Sequence, residues 1–277
     1  MIKVTIAAAL ASSALLTSLP ALAQTADEDR ARAEPRSSET REPRRIRLGA
    51  GAQLTPSFPG AKDVKLRPFW EVSTARGDEP FAFEAPDESF GLSLIRSNGF
   101  EVGPAINIEG SRRVEETGPG IDEVGSTIEV GGFVQYTLAD SVRIRAEARK
   151  GIGGHRGIVG NVGLDYVLRD GDRYLFSIGP RVSYGDGTYQ RAYFGLSPRE
   201  AAASGLPAYR PSSGINAVGA AAGFIYQLND RWGIFSYAKY DRLVDDAGRS
   251  PIVRRIGSRD QFSGGLALTY SFTTTAF

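Results

Sequence analysis

The only histidine of the chain, His155, is the first residue to consider for chemistry, because the 277 residues include no cysteine. A serine esterase or lipase needs a serine within hydrogen-bond reach of its histidine base. The stretch "GIGGHRG" around His155 contains no serine, and its glycines are typical of a solvated loop. One histidine without cysteine also excludes a multi-histidine or cysteine-ligated zinc site and a disulfide framework.

Two pairs of neighbouring carboxylates, Glu115 with Glu116 and Asp245 with Asp246, are the remaining candidates for acid chemistry. Glycoside hydrolysis or calcium binding requires carboxylates that converge in a cleft. Adjacent carboxylates diverge on a strand and are usually solvated in a loop. We therefore predict no enzyme activity, no catalytic residue, no cofactor and no metal.

The overall charge gives little reason to expect a nucleic-acid partner. Lysine and arginine number 33 against 32 aspartate and glutamate residues. A chain with so little net charge lacks the basic field that attracts DNA or RNA.

Charged residues alternate with apolar ones in "SVRIRAEARKG", residues 141–151. Arg143, Arg145, Glu147 and Arg149 occupy every second position, and a strand sends alternate side chains to opposite faces. In a soluble sheet the charges would face water. In a membrane barrel the apolar set would face lipid and the charges would line the interior.

The same alternation recurs from residue 44 to the C-terminus, with short turns such as 138–141, 169–172 and 229–231 alternating with long loops such as 113–123, 185–213 and 244–258. This asymmetry is typical of outer-membrane barrels, in which the short turns are periplasmic. The predicted strands are 46–55, 63–74, 79–85, 88–96, 99–112, 124–138, 141–150, 157–169, 172–185, 214–229, 231–243 and 259–272.

The predicted fold class is therefore all-β, a transmembrane antiparallel up-and-down barrel of about 12 strands, or 10 if 79–96 is irregular. A soluble periplasmic β-sandwich would explain the alternation but not the sorting of the turns. An arginine facing lipid at the midplane costs about 2–4 kcal/mol, so the charges should face the lumen. The predicted lumen residues are Glu129, Arg143, Arg145, Glu147, Arg149 and Asp165. Charges of both signs favour a filled or narrow interior over an open channel.

The N-terminus predicts export. Lys3 precedes an apolar run that ends before Ala21-Leu22-Ala23, the small-x-small form of a signal-peptidase site. We interpret 1–23 as a cleaved signal peptide, with a membrane anchor as the alternative, although the run is short. We interpret residues 24–43 as a flexible periplasmic arm that is solvated, contacts peptidoglycan or enters the barrel, and 44–277 as the barrel.

A short helix is predicted within the longest loop. Ser197 and Glu200 form a capping box, Pro198 suits the first helical position and Gly205 can end the helix. Such a helix could plug the barrel mouth, form a recognition surface or simply make the loop compact.

Aromatic residues near the C-terminus, Tyr270, Phe272 and Phe277, are candidates for the signal read by the outer-membrane insertion machinery. Arg254, Arg255 and Arg259 in the last long loop could meet lipopolysaccharide phosphates, although an ordinary solvated loop would look the same.

Three stretches of the C-terminal third resemble the MltA-interacting protein (MipA/OmpV) family: "QRAYFGLSPREAAASGLPAYRPSSG" at 190–214, "YDRLVDDAGRSPIV" at 240–253 and "LTYSF" at 268–272. The resemblance implies a non-enzymatic protein of the Gram-negative outer membrane, surrounded by lipid and lipopolysaccharide. It also implies a scaffold that links a murein transglycosylase to a murein synthase in cell-wall remodelling. A narrow channel for small solutes is the alternative function.

Overall fold

Alternation of side chains along the chain produces a single antiparallel sheet of twelve strands. The computed structural model describes residues 42–139 and 141–274; the predicted signal peptide, nearly all of the predicted arm and Phe277 lie outside these ranges. The strands are β1 (Arg44–Pro56), β2 (Val64–Arg76), β3 (Phe90–Gly91), β4 (Ile95–Ser97), β5 (Phe100–Glu109), β6 (Thr127–Ala139), β7 (Val142–Gly153), β8 (Ile158–Asp170), β9 (Tyr174–Gly185), β10 (Gly214–Gln227), β11 (Trp232–Leu243) and β12 (Asp260–Thr274).

Sequential neighbours pair along most of the sheet, and β12 returns to pair with β1. The order is β2-β1-β12-β11-β10-β9-β8-β7-β6-β5-β3, with β4 also paired to β5. The up-and-down order and the count of about twelve strands are thus confirmed. Among the described strands, the two ends of the curled sheet are β2 on one side and the short strands β3 and β4 on the other.

The burial pattern of the sheet is the inverse of that in a soluble protein. Along β7, Arg143, Arg145 and Glu147 are buried, whereas Ile144 is 40 % exposed. Elsewhere Trp70 and Ile108 are more than 70 % exposed on the outer face. An apolar belt of this size is not stable in water, but it suits the lipid-facing surface of a membrane barrel. The β-sandwich alternative is therefore wrong.

The strand predicted at 79–85 is wrong, because this segment folds into the interior of the curled sheet. We call residues 78–89 the inner segment; Phe81, Ala85 and Ser89 are its most deeply buried members. Pro80 and Pro86 lack the N–H that a strand inside a sheet must donate, which disfavours pairing with β2.

The strand predicted at 88–96 is replaced by β3 and β4, which together pair with β5. Between them, Leu92 N–H donates to Pro104 O at 3.2 Å and Leu94 N–H donates to Val102 O at 3.0 Å, so the pairing continues irregularly. A tight turn with positive φ at Asn98 and Gly99 then leads into β5.

The helices of the described residues all lie in the long loops at one end of the sheet. They are α1 (Val114–Thr117), α2 (Gly187–Phe194), α3 (Pro198–Ser204), α4 (Asp245–Arg249) and α5 (Pro251–Arg255). The predicted helix corresponds to α3, whereas the other four were not predicted. Within the described ranges, none of these helices is long and apolar enough to cross a membrane.

The long loops pack on one another and on the adjoining strand ends through a conventional hydrophobic core. We call loops 57–63, 110–126, 186–213 and 244–259 the loop cap. Tyr193, Phe194 and Ile252 are fully buried at its centre. Arg112 lies beside them and donates to Tyr193 O and to Asp122 O, both at 2.8 Å. The loop cap is therefore an ordered layer over one end of the interior.

Candidate functional site in the barrel interior

The structure buries all six predicted lumen charges and joins them in ion pairs. Their exposed fractions lie between 1 % and 7 %. The bonded pairs are Arg143 Nη2 with Asp165 Oδ2 at 3.0 Å, Arg145 Nε with Glu147 Oε1 at 2.7 Å, Arg149 Nε with Glu129 Oε2 at 3.0 Å, and Arg149 with Glu147. Buried charges require such partners, since an unpaired one is costly to desolvate.

The register of the strands creates these pairs. Arg143 of β7 lies opposite Asp165 of β8. Gly163 lies opposite both Arg145 and Arg181, and a Cβ there would stand 3.1 Å from Arg181 Nη1. The absent side chain therefore leaves room for two arginines to converge.

Arg181 was not predicted as a lumen residue, yet it forms one of the shortest contacts of the network. Its Nη2 lies 2.6 Å from Asp165 Oδ1, so that Asp165 bridges two arginines. The alternation of β9 would have revealed it, because Ile178 and Val182 mark the lipid-facing positions and Arg181 has the opposite parity.

The inner segment completes the network with its own polar groups. Asp87 Oδ2 lies 3.0 Å from Arg181 Nε and 3.1 Å from Lys239 Nζ. Glu88 pairs with Arg143, and Ser89 Oγ donates to Glu147 Oε2 at 2.6 Å. The inner segment, which the sequence pattern had assigned to the wall, therefore fills part of the interior.

His155 is buried, so its interpretation as a solvated loop residue is wrong. Only 2 % of it is exposed, and its ring packs 5.0 Å from that of Tyr189. Nδ1 accepts the N–H of Gly157 at 3.0 Å, which leaves Nε2 to donate to Glu129 Oε1 at 3.0 Å. Both ring nitrogens are thus occupied within the fold.

One carboxylate of each acidic pair, Asp246 and Glu116, anchors the loop cap. Asp246 Oδ2 accepts the Ser212 N–H at 2.7 Å and its Oδ1 lies 2.7 Å from Arg249 Nη2; these two contacts lower the pKa of Asp246. Burial raises the pKa of Glu116, but the Lys65 ammonium at 2.6 Å and the hydrogen bonds from the Arg113 N–H and Ser57 together outweigh it, and the net shift is downward. Among the described residues, no cluster of three or more metal-ligating side chains occurs.

The predicted capping residues of α3 act as expected from their types. Glu200 N–H donates to Ser197 Oγ at 3.2 Å, Ser197 N–H donates back to Glu200 Oε2 at 2.9 Å, and Pro198 opens the helix. Gly205 ends it with a φ of 73°. Glu200 Oε1 also accepts the Asp122 N–H at 3.1 Å, which ties α3 to loop 110–126.

The proposed insertion-signal residues fall on the last strand where they are described. Tyr270 packs with its ring 4.9 Å from that of Trp232, and Phe272 is 39 % exposed on the outer face. Arg254 and Arg255 close α5 and are exposed, whereas Arg259 Nε donates to Leu243 O at 3.4 Å.

Cavities remain on both sides of the inner segment. One of about 310 Å³ lies toward the loop cap and is lined by Arg67, Glu109 and Lys239. Another of about 470 Å³ lies toward the short turns, beside Arg96 and Glu101. The interior is thus divided into compartments.

A family model described as "MltA-interacting protein MipA" matches residues 48–272. No curated protein matches the chain by sequence. The match covers almost all of the sheet, and together with the inverted burial it identifies an outer-membrane β-barrel protein.

Several solved barrels are similar to this chain at low identity. The KdgM porin shows 10 % identity and a TM-score of 0.37, over 82 % of this chain and 99 % of that one. The channel DcaP of Acinetobacter baumannii shows 10 % identity and a TM-score of 0.37, over 83 % and 96 %. OprG from Pseudomonas aeruginosa shows 12 % identity and a TM-score of 0.28, over 84 % and 97 %. The fold is established by this chain's own strand pairing.

Proposed function

Because the chain belongs to the MltA-interacting protein MipA family, we propose that it works by binding rather than by catalysis, as an outer-membrane scaffold for cell-wall enzymes. The partners are a murein transglycosylase, which the family description names, and a murein synthase. The protein has no enzymatic step of its own in this proposal.

The main support is an interior whose charged groups are largely used up by one another. The wall arginines pair with wall carboxylates and with the inner segment, and His155 has both nitrogens bonded. A catalytic base or nucleophile needs a free lone pair directed at a substrate. Charged groups that are paired with one another favour a structural role for the interior over a catalytic one.

The contact surface of this platform is the periplasmic end, where the short turns lie. Exposed charges of both signs occur there, including Asp170 and Arg173 in the β8–β9 turn and Arg231 in the β10–β11 turn. Charges on an exposed rim contribute to association rate and partner choice more than to fold stability. They can therefore be altered without unfolding the barrel.

Cross-linking of the detergent-purified protein tests this proposal. Arg173→Glu combined with Arg231→Glu should reduce cross-linking to a purified murein transglycosylase, whereas Arg254→Glu combined with Arg255→Glu, at the opposite end, should leave it unchanged. If both double variants cross-link as well as the unmutated protein, the docking surface is not at the periplasmic end. Loss with both would indicate a nonspecific charge effect.

The competing function is a narrow solute channel, and the polar cavities on either side of the inner segment favour it. Planar-bilayer recordings of the purified protein separate the two functions. Stable ion-dependent current steps would support the channel. A silent bilayer together with specific cross-linking would support the scaffold.

A further inference from the structure

Arg47 differs from the other buried arginines of the interior because it has no polar partner. It lies on β1 with 3 % exposed, and its guanidinium forms no hydrogen bond or ion pair within the described residues. Its only specific contact is with the ring of Phe81, whose centroid lies 4.0 Å away. A buried cation without an anion is costly, so such a group indicates a place for a ligand.

Glu71 and Asp172 attract Arg47 electrostatically without bonding to it, and Glu71 Oε2 is itself without a hydrogen-bond partner among the described residues. Asp172 accepts from Arg45 Nη1 at 2.7 Å and from the Phe81 N–H at 3.0 Å. Glu71 accepts from Ser73, and neither carboxylate forms an ion pair with Arg47. Arg169 is occupied by the carbonyl oxygens of Phe81 and Gly171. Arg47 is thus the free cation among the described groups of this region.

The space beside Arg47 is mostly apolar, unlike the rest of the interior. A crevice of about 320 Å³ is lined by Arg47 and several aromatic rings, and also by the carboxylates Glu71, Glu84 and Glu88. Phe69 and Phe235 pack there with centroids 5.1 Å apart. Small-molecule sites commonly have volumes of about 300–1,000 Å³ and combine an apolar wall with a few polar groups.

The crevice also reaches the lipid-facing surface. Trp70 of β2 and Phe90 of β3 both border it, and both are more than 70 % exposed on the outer face. These strands are the two ends of the described sheet. A molecule dissolved in the membrane could therefore enter sideways, between the ends.

We propose that this crevice binds an amphipathic carboxylate, such as a medium-chain fatty acid, with its carboxylate on the Arg47 guanidinium and its chain along Phe69, Phe235 and Trp70. Arginine suits this role because its planar fork matches a carboxylate in a bidentate arrangement. The site is independent of the scaffold role, since it lies inside the barrel.

Tryptophan fluorescence tests the proposal, because the chain has two tryptophans and Trp70 alone borders the crevice. In Trp232→Phe, a terminally brominated fatty acid should quench Trp70 saturably. In Trp70→Phe, Trp232 reports only partition of the probe into the micelle. Arg47→Gln in the Trp232→Phe background should weaken saturable quenching about tenfold or more, as expected for losing a hydrogen bond to a charged group.

Two further comparisons control for folding and for charge. Arg44→Gln lies on the same strand but on the opposite face, so binding should be unchanged. Arg47→Lys should retain more binding than Arg47→Gln. In the protein with Arg47 intact, decanoate should displace the brominated fatty acid more effectively than decanol does. The proposal would be overturned if Arg47→Gln bound the probe as tightly as the protein with Arg47, or if decanol competed as well as decanoate. It would also be overturned if quenching of Trp232 saturated as quenching of Trp70 does.

Discussion

Tyr193 and Phe194 in the loop cap are buried as deeply as Asp165 and Glu129 in the barrel interior, yet the two regions bury opposite chemistry. In the loop cap, aromatic and aliphatic side chains pack together and the few polar groups anchor the backbone. In the interior, guanidinium and carboxylate groups pair with one another.

The difference follows from what surrounds each region. The loop cap faces water, so burying apolar surface stabilises it by about 25 cal/mol per Å². The apolar side chains of the strands face lipid, and because side chains alternate, polar ones face the interior. The interior therefore depends mainly on the pairing of charges, and each region should respond to a different kind of substitution.

The largest effect is expected in the loop cap. Phe194→Ala removes a fully buried ring and should cost about 3–5 kcal/mol of local stability, because the neighbours cannot fill the cavity. Hydrogen exchange should rise in 186–213 and 244–259, while the heat-dependent gel shift of the barrel persists. Leu206→Ala, at the edge of the same cluster, should have a smaller effect. Loss of the barrel itself would show that the two regions are not separable.

The second-largest effect on stability is expected on the lipid-facing side of the wall. Ile144→Arg places a charge on the outer face of β7 and should cost about 2–4 kcal/mol if that position lies near the midplane. Urea titration of folding into vesicles measures this cost, with Ile144→Leu as the matched control. Equal midpoints for the two variants would mean that the outer face of β7 does not contact lipid.

Inside the barrel, Asp165→Asn should cost about 1.5–3 kcal/mol, because Arg143 and Arg181 both lose a charged acceptor while the shape is kept. Asp170→Asn is the control, since Asp170 lies in an exposed turn, 3.9 Å from Arg173. The same urea titration applies. Similar midpoints would contradict a stability that depends on interior pairing.

The smallest expected effect is a pH dependence of the stability of the loop cap. It distinguishes the contribution of the polar anchors from that of the apolar core. The pKa of Asp246 is lowered by the Ser212 N–H and by Arg249. Its contribution is present above its unfolded pKa and is lost as pH falls through the folded value. Proteolysis of 244–259 by an acid-active protease should increase at the acid end of a pH series. Asp246→Asn should remove most of this pH dependence, and an unchanged profile would exclude Asp246 as an anchor.

The wall of the barrel could be predicted from the sequence because a period of two is a local property. The inner face of β7 is indicated by its own alternation, in which Arg143, Arg145 and Glu147 occupy every second position. The short helices were harder to predict, since α2, α4 and α5 owe their stability to the tertiary core of the loop cap.

The inner segment and the free cation could not be predicted in the same way. Residues 79–85 alternate like a strand, and only Pro80 and Pro86 argue against the assignment. The partners of Asp87 lie in β9 and β11, far along the chain. That Arg47 lacks a partner is a property of the assembled interior, because its neighbours in sequence resemble those of any wall arginine.

The position of the inner segment has a mechanical consequence. A fully closed barrel resists widening, because backbone hydrogen bonds join every pair of neighbouring strands. In the described sheet, β2 and β3 are the two ends, and the chain between them crosses the interior as a strut held by Asp87, Glu88 and Phe81. Widening the sheet would break contacts of this strut rather than a strand ladder, so its circumference depends on the ion pairs and hydrogen bonds of the inner segment.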